Sequence, residues 1–362
     1  MSPRRRDPSS VSIGLALALA FFATVTASAQ TSAPPAYHFG GFADATVSRP
    51  IGGHRNDFDL GELDLYATAQ LSDTWSALGE GLVQRVGRGS DADVGSSRVE
   101  GEIERLYIAY SRSDVLRMEI GRVNTGIIDW NERENRSRFL QTPIDVPSIA
   151  RRQEQGGAWP LHFLGGWASG SVPGTAGVHY GVGIGEGRSK ALDDVALLSG
   201  GSVSPAGLLS LSIAPDRLTG FQLGAAALVD TIPAAEGKYH EVDRTLSTSY
   251  VNRGIEFRSE WSRMDHRLQG SGTTYVTEGW YALLSVRLRG PLKVLRPYVL
   301  FDRLNVAKGE PYLATVNDQH SWAAGTRWDA TKYLALKLDY RVQTRSTSDS
   351  RDVVRLQLAI SF

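Results

Sequence analysis

The chain of 362 residues contains no cysteine. Without disulfides, a chain of this length must draw its stability from a large fold rather than from covalent staples. It also lacks any excess of charge, since 39 lysines and arginines balance 39 aspartates and glutamates. A nucleic-acid partner calls for a basic surplus, so none is expected. Beyond the N-terminal segment no apolar run approaches a membrane helix, which needs about 20 such residues. No nucleotide loop is complete either. Gly181, Gly183, Gly185 and Gly187 form a GxGxGxG run, but no Lys-Ser/Thr pair follows it. On a strand such glycines make room for a neighbouring side chain. No GxSxG elbow occurs, and the histidines are scattered. His54, near Asp57 and Asp59, reads as part of a solvated loop. No metal, cofactor or catalytic residue is expected.

What is present begins with an export signal. Arg4, Arg5 and Arg6 precede an apolar run over residues 11–23, and Ala27-Ser28-Ala29 forms a small-x-small cleavage site. Residues 1–29 are therefore expected to be a cleaved secretory signal peptide, outside the fold. Residues 30–36 form a short N-terminal segment, and 37–362 are expected to make one domain.

That domain reads as strands. In 57–71, Leu63, Leu65, Ala67, Ala69 and Leu71 take one face, with Glu62, Asp64, Tyr66, Thr68 and Gln70 on the other. In 254–264, Ile255, Phe257 and Trp261 stand opposite Glu256, Arg258, Glu260 and Ser262. In 333–343, Leu334, Leu336, Leu338, Tyr340 and Val342 oppose Lys337, Asp339 and Arg341. The last strand sets Val354, Leu356, Leu358, Ile360 and Phe362 against Arg355, Gln357 and Ser361. Each segment thus has an apolar wall and a charged wall. A soluble antiparallel sheet would share that pattern, but these segments match the nine to eleven residues, roughly, that cross a bilayer at a tilt. Connections alternate in length as well. Short turns are expected near 72–74, 111–114, 170–174, 214–218, 252–254, 289–292 and 329–332. Longer loops are expected near 48–56, 87–97, 124–155, 186–206, 230–239, 267–271, 307–318 and 345–351. Short turns at one end and long loops at the other describe an outer-membrane barrel. The count gives an all-β transmembrane antiparallel barrel of about 16 strands, wide enough for an aqueous lumen.

One stretch stands apart. Residues 124–155, NTGIIDWNERENRSRFLQTPIDVPSIARRQEQ, have neither strand alternation nor a helical stripe. Their apolar residues, including Trp130, Phe139, Ile144 and Ile149, make the stretch too apolar for a disordered linker.

The terminal VVRLQLAISF resembles the end of bacterial outer-membrane barrels, which implies that Phe362 belongs to a signal read by the barrel-assembly machinery. The stretches GFADATV, FDLGELDLYATAQLSDTWSALGEG, EIERLYIAY, LRMEIGR and LQTPIDVPSIARRQEQGGAWPLHFLGGWASG resemble porins broadly similar to the phosphate-selective O/P type. The resemblance is one of layout over most of the mature chain, weaker over residues 190–270. It implies an outer-membrane channel for passive diffusion of small hydrophilic solutes or ions, embedded in outer-membrane lipid, with a homotrimer as the oligomer. It also implies that the third long loop, 124–155 here, folds into the barrel. The phosphate preference does not carry over, because the loop holds no lysine and as many acids as bases.

The expected constriction residues are Asp129, Glu132, Arg133, Glu134, Arg136 and Arg138, then Arg151 and Arg152. The expected lumen lining is Glu62, Asp64, Glu256, Arg258, Glu260, Lys337, Asp339, Arg341 and Arg355. Two other readings stay open at this point: a structural or adhesive barrel with a plugged lumen, and a barrel hydrolase.

Overall fold

A computed structural model describes residues 36–53, 56–86, 98–134, 137–189, 192, 205–234, 237–345 and 348–362. The expected signal peptide, His54, Arg136 and residues 87–97, 190–191 and 193–204 lie outside the described residues.

The chain forms one closed, wholly antiparallel sheet of sixteen strands. In chain order they begin with β1 (Ala36–Pro50), β2 (two pieces, Asp57–Asp59 and Glu62–Gln70), β3 (Trp75–Val86), β4 (Arg98–Ser113) and β5 (Leu116–Asn124). Then come β6 (His162–Ser171), β7 (Val178–Glu186), β8 (Pro205–Ile213), β9 (Phe221–Ala234), β10 (Gly237–Asn252) and β11 (Ile255–Leu268). The series ends with β12 (Thr274–Val286), β13 (Leu295–Asn305), β14 (Gln319–Asp329), β15 (Leu334–Arg345) and β16 (Ser348–Ser361). The break in β2 has a local cause. Asp44 of β1 turns its carboxylate under Gly61 and accepts the Glu62 N–H at 3.0 Å, where a side chain on residue 61 would clash.

Closure is made by β1 on β16, in a register running from Phe42↔Ser361 to Pro50↔Val353. Gly41 and Phe362 exchange both backbone bonds at 2.9 Å, and the Phe362 ring lies over Gly41. Every strand then has two neighbours, so no edge is left unpaired.

The wall is inverted relative to a soluble core. Leu338 and Leu356 stay about half exposed, while their sequence neighbours Lys337, Asp339 and Arg355 are buried. Ile120, Ile184, Leu211, Leu246 and Phe301 continue the exposed belt around the barrel. Period-2 alternation aims one face outward and one inward, and only a lipid-facing barrel makes the apolar face the outer one. The tight end uses positive-φ residues where the reversal demands them. Arg253 (φ 50) and Gly254 (φ 83) make a two-residue turn between Asn252 and Ile255.

Two expected loops are corrected. Residues 230–234, 237–239, 345 and 348–351 belong instead to hairpin strands, with Ala234 paired to Gly237 and Arg345 to Ser348. Pro233 and the small residues around it read as a loop. Pro233 costs the ladder little because it sits beside the hairpin's end. The first strand also starts at Ala36, one residue before the expected boundary.

Candidate functional site

Residues 125–161, between β5 and β6, cross the barrel from one wall to the other. They carry one turn of helix, α1 (Asp129–Arg133), and two 3-10 turns, Ser148–Ala150 and Gln153–Gln155. Their apolar side chains are buried: Ile127, Ile128, Trp130, Ile149 and Trp159 are all within 1% of full burial. Trp130 meets the Tyr281 ring of β12 edge-on, with centroids 5.4 Å apart. Ile149 packs against Gly279 of the same strand, where a Cβ would not fit.

The polar contacts explain why the charged wall faces inward. Lys337 of β15 donates from Nζ to the carbonyls of Arg138 (2.5 Å) and Pro143 (3.0 Å). Arg327 of β14 donates to the carbonyls of Phe139 (2.6 Å) and Gln141 (2.8 Å). The Asp302 carboxylate of β13 accepts both the N–H (2.9 Å) and the hydroxyl (2.5 Å) of Ser148. Glu256 accepts from the Thr142 hydroxyl (2.6 Å), and Glu260 from the Asp129 N–H (2.7 Å). Asp145 pairs with Arg341 and, at 2.7 Å, with Arg355, whose guanidinium also grips Asp339. Backbone groups in a segment without secondary structure need partners when buried, and charged side chains supply the strong ones.

The expected constriction residues divide between two places. Arg138 is tied to Glu62 (2.9 Å), Arg152 to Glu104 and Arg151 to Gln319 (3.0 Å), all on the side where the loop is packed against wall. Burial, with Arg138 and Arg355 nearby, pushes the Arg151 guanidinium below its ordinary range despite Asp302. Asp129, Glu132, Arg133 and Glu134 instead border open space. Two adjoining cavities of about 580 Å³ and 640 Å³ share Glu132, Arg133 and Trp167 in their walls. Of the expected lining residues, only Arg258 and Glu260 reach these cavities. Glu62, Asp64, Glu256, Lys337, Asp339, Arg341 and Arg355 do not, because all but Asp64 bind the loop or bind a residue that does.

Charges of both signs line these cavities. On the loop stand Asp129, Glu132 and Glu134; on the wall stand Arg105 of β4, Arg117 of β5 and Arg258 of β11. Arg258 reaches Glu134 at 2.5 Å, Arg117 holds Glu119 at 2.8 Å, and Arg133 holds Asp129 at 2.8 Å. Burial raises the Glu134 carboxyl above its ordinary range, with Arg258 pulling the other way. Burial opposes the charge on Arg133, but Asp129 more than offsets it and keeps the guanidinium raised. The remaining wall is hydroxyl-rich, with Ser111, Ser169, Ser210, Ser212 and Ser247 beside Trp167, and carries the acids Asp114 and Glu119. The glycine run of β7 serves Trp167: a Cβ on Gly183 would stand 2.7 Å from its indole.

Arg105 and Arg117 were not among the expected residues. Arg117 and Glu119 were legible in the alternation of LRMEIGR. Arg105 was not, because β4 carries a bulge at Glu104 that lets two successive residues point inward.

No protein-family model matches the chain, and no curated protein matches it by sequence. Solved structures do match. An anion-selective porin from Comamonas acidovorans aligns with 13% identity and TM-score 0.64, over 91% of this chain and 100% of that one. OmpF of Salmonella typhi, solved in complex with daunomycin, aligns with 11% identity and TM-score 0.62, over 90% and 97%. The outer-membrane channel DcaP of Acinetobacter baumannii aligns with 14% identity and TM-score 0.61, over 93% and 100%. The fold is thus that of the bacterial outer-membrane porins, a sixteen-stranded barrel.

Proposed function

We propose that the protein is an outer-membrane diffusion channel for small hydrophilic solutes or ions, and that the passage runs between residues 126–134 and the wall of β4–β11. The observation that carries this reading is the open space beside the loop, lined by loop acids and wall arginines and crossed by the Glu134–Arg258 ion pair. Opposed charges there set up a transverse field that orders water and disfavours apolar solutes. Selectivity then resides in Asp129, Glu132, Arg133, Glu134, Arg105, Arg117 and Arg258. The phosphate-selective subtype gains no support from this lining. The same reading carries an exported precursor cleaved after Ala29, lipid contact through the apolar belt, barrel assembly with Phe362 as the C-terminal signal, and a homotrimer. Arg136 belongs to the same acidic-basic loop but lies outside the described residues. No enzymatic activity is proposed.

The test is the reversal potential of the refolded protein in a planar bilayer under a salt gradient. A unit charge about 6 Å from a permeating ion in water is worth about 0.7 kcal/mol, about threefold in local ion concentration. Arg133→Ala and Arg258→Ala should each raise the local cation concentration by up to that factor and so move the cation-to-anion permeability ratio toward cations. Unchanged ratios in both would remove these residues from the passage.

The plugged-barrel reading has one observation in its favour. Tyr312, Leu313 and Val316, from the segment between β13 and β14, are buried among Leu208, Leu228, Ile232, Tyr239 and Met264 inside the barrel. Conductance separates the two readings, since a permanent plug passes no current.

A further inference from the structure

Residues 306–318 fill part of the lumen, yet they are fastened very differently from residues 125–161. Among the described residues, a small set of polar bonds fastens this segment to the wall. Ala307 N–H donates to Thr277 of β12 at 3.1 Å, near the segment's base. Further along, the Tyr312 hydroxyl donates to the Ser189 carbonyl at 3.2 Å. The strongest attachment is Glu310, whose carboxylate meets Nδ1 of His266 on β11. The other ring nitrogen of His266 meets Glu241 of β10 at 2.5 Å, so the imidazole is clamped between a wall carboxylate and a carboxylate of the segment. All three side chains are buried.

Around this clamp the charges are out of balance. Asp230, Glu241, Asp243 and Glu310 converge on Arg188 and His266, and neither carboxylate oxygen of Asp243 has a hydrogen-bond partner among the described residues. A buried group left without a partner costs stability, so the packed arrangement is held against an internal penalty. Arg188 ties the clamp to the rest of the lumen. It donates to Glu241 (2.7 Å) and to the Ala158 carbonyl of the loop that crosses the barrel, and its guanidinium lies 5.5 Å from the Tyr312 ring centroid. The two inward segments therefore meet at one side chain.

We propose that residues 306–318 are a releasable plug, latched by Glu310 on His266 and coupled through Arg188 to the loop that borders the passage. The channel then has a gate separate from its selectivity charges. This rests on the channel reading above and adds a second, closed arrangement to it.

The absence of cysteine allows a clean assay. Val316 is buried against the inner wall, so Val316→Cys should react slowly with a membrane-impermeant maleimide while the latch holds. Adding Glu310→Ala removes one charged hydrogen bond, which corresponds to about tenfold or more in the open-to-closed ratio. Labelling should accelerate by that factor, and the same substitution in the cysteine-free chain should lengthen its high-conductance dwells in a bilayer. Heat-shifted gel mobility reports that each barrel is folded. His266→Leu removes the same contact from the wall side and should act alike. Labelling rates and dwell times equal to those of the parent in both variants overturn the plug while leaving the channel intact. Conductance from none of the folded barrels overturns the channel reading itself.

Discussion

The lumen has two unlike halves. On β13–β16 and the adjoining β1–β2, many inward side chains are charged, buried and bonded to the crossing loop, as in Lys337, Asp302, Arg341 and Arg355. On β4–β10 the cavities are bordered largely by serines, glycines and Trp167, and the arginines there, Arg105 and Arg117, pair with the wall acids Glu80 and Glu119. Read from the sequence alone, charges on both halves look like pore lining. Their roles differ because a buried charge with fixed partners orders backbone, whereas a charge bordering water acts on what passes. Counting inward charges therefore overstates selectivity and understates the anchoring of the loop.

The sharpest way to break this comparison is to loosen the closed half. Lys337→Met removes two charge-assisted bonds to the loop, each worth about 1.5–3 kcal/mol. At about 3 kcal/mol in total, the equilibrium for loop detachment shifts more than a hundredfold. The expected result is larger, noisier single-channel steps with weakened ion preference. Steps of parental size would mean that the loop holds its place through apolar burial alone. Asp302→Ala should act in the same direction through the lost bonds to Ser148.

Much of the wall was legible because a barrel writes its two faces at period two. Leu336, Lys337, Leu338 and Asp339 need no tertiary knowledge to be sorted into outward and inward. The crossing segment was legible as an exception to that period. What could not be read was which wall it leans on, since contacts such as Ser148 with Asp302 join residues 154 apart in sequence. Nor could alternation foresee the Glu104 bulge, which adds Arg105 to the passage and Glu104 as the anchor of Arg152. Residues 307–318 were read only as one of the longer loops joining strands. Tyr312, Leu313 and Val316 were the overlooked sign, because a solvated loop does not place three bulky apolar residues within five positions.

The open half can be narrowed without touching a charge. Gly183 of β7 lies beneath Trp167, and a valine there has no space unless the indole moves toward the passage. Gly183→Val should lower conductance while leaving the permeability ratio near the parental value. A changed ratio at unchanged conductance would argue that Trp167 does not border the conducting route. The effect should be smaller than that of Lys337→Met, since one ring shifts rather than a whole segment.

The smallest predicted effect isolates a single pair on the open half. Burial holds the Glu134 carboxyl above the usual range, so it takes up its proton at a higher pH than an ordinary glutamate, near about 4.3. As pH falls, protonation of Glu134 leaves Arg258 without its partner at 2.5 Å. The passage becomes more positive, and cation preference should drop by up to about threefold in a step centred above pH of about 4.3. Glu134→Gln should already show the low-pH ratio at neutral pH and lack the step. A step that survives in Glu134→Gln would assign the titration to another carboxylate, with Glu132 and Asp129 on the same loop the next to be replaced.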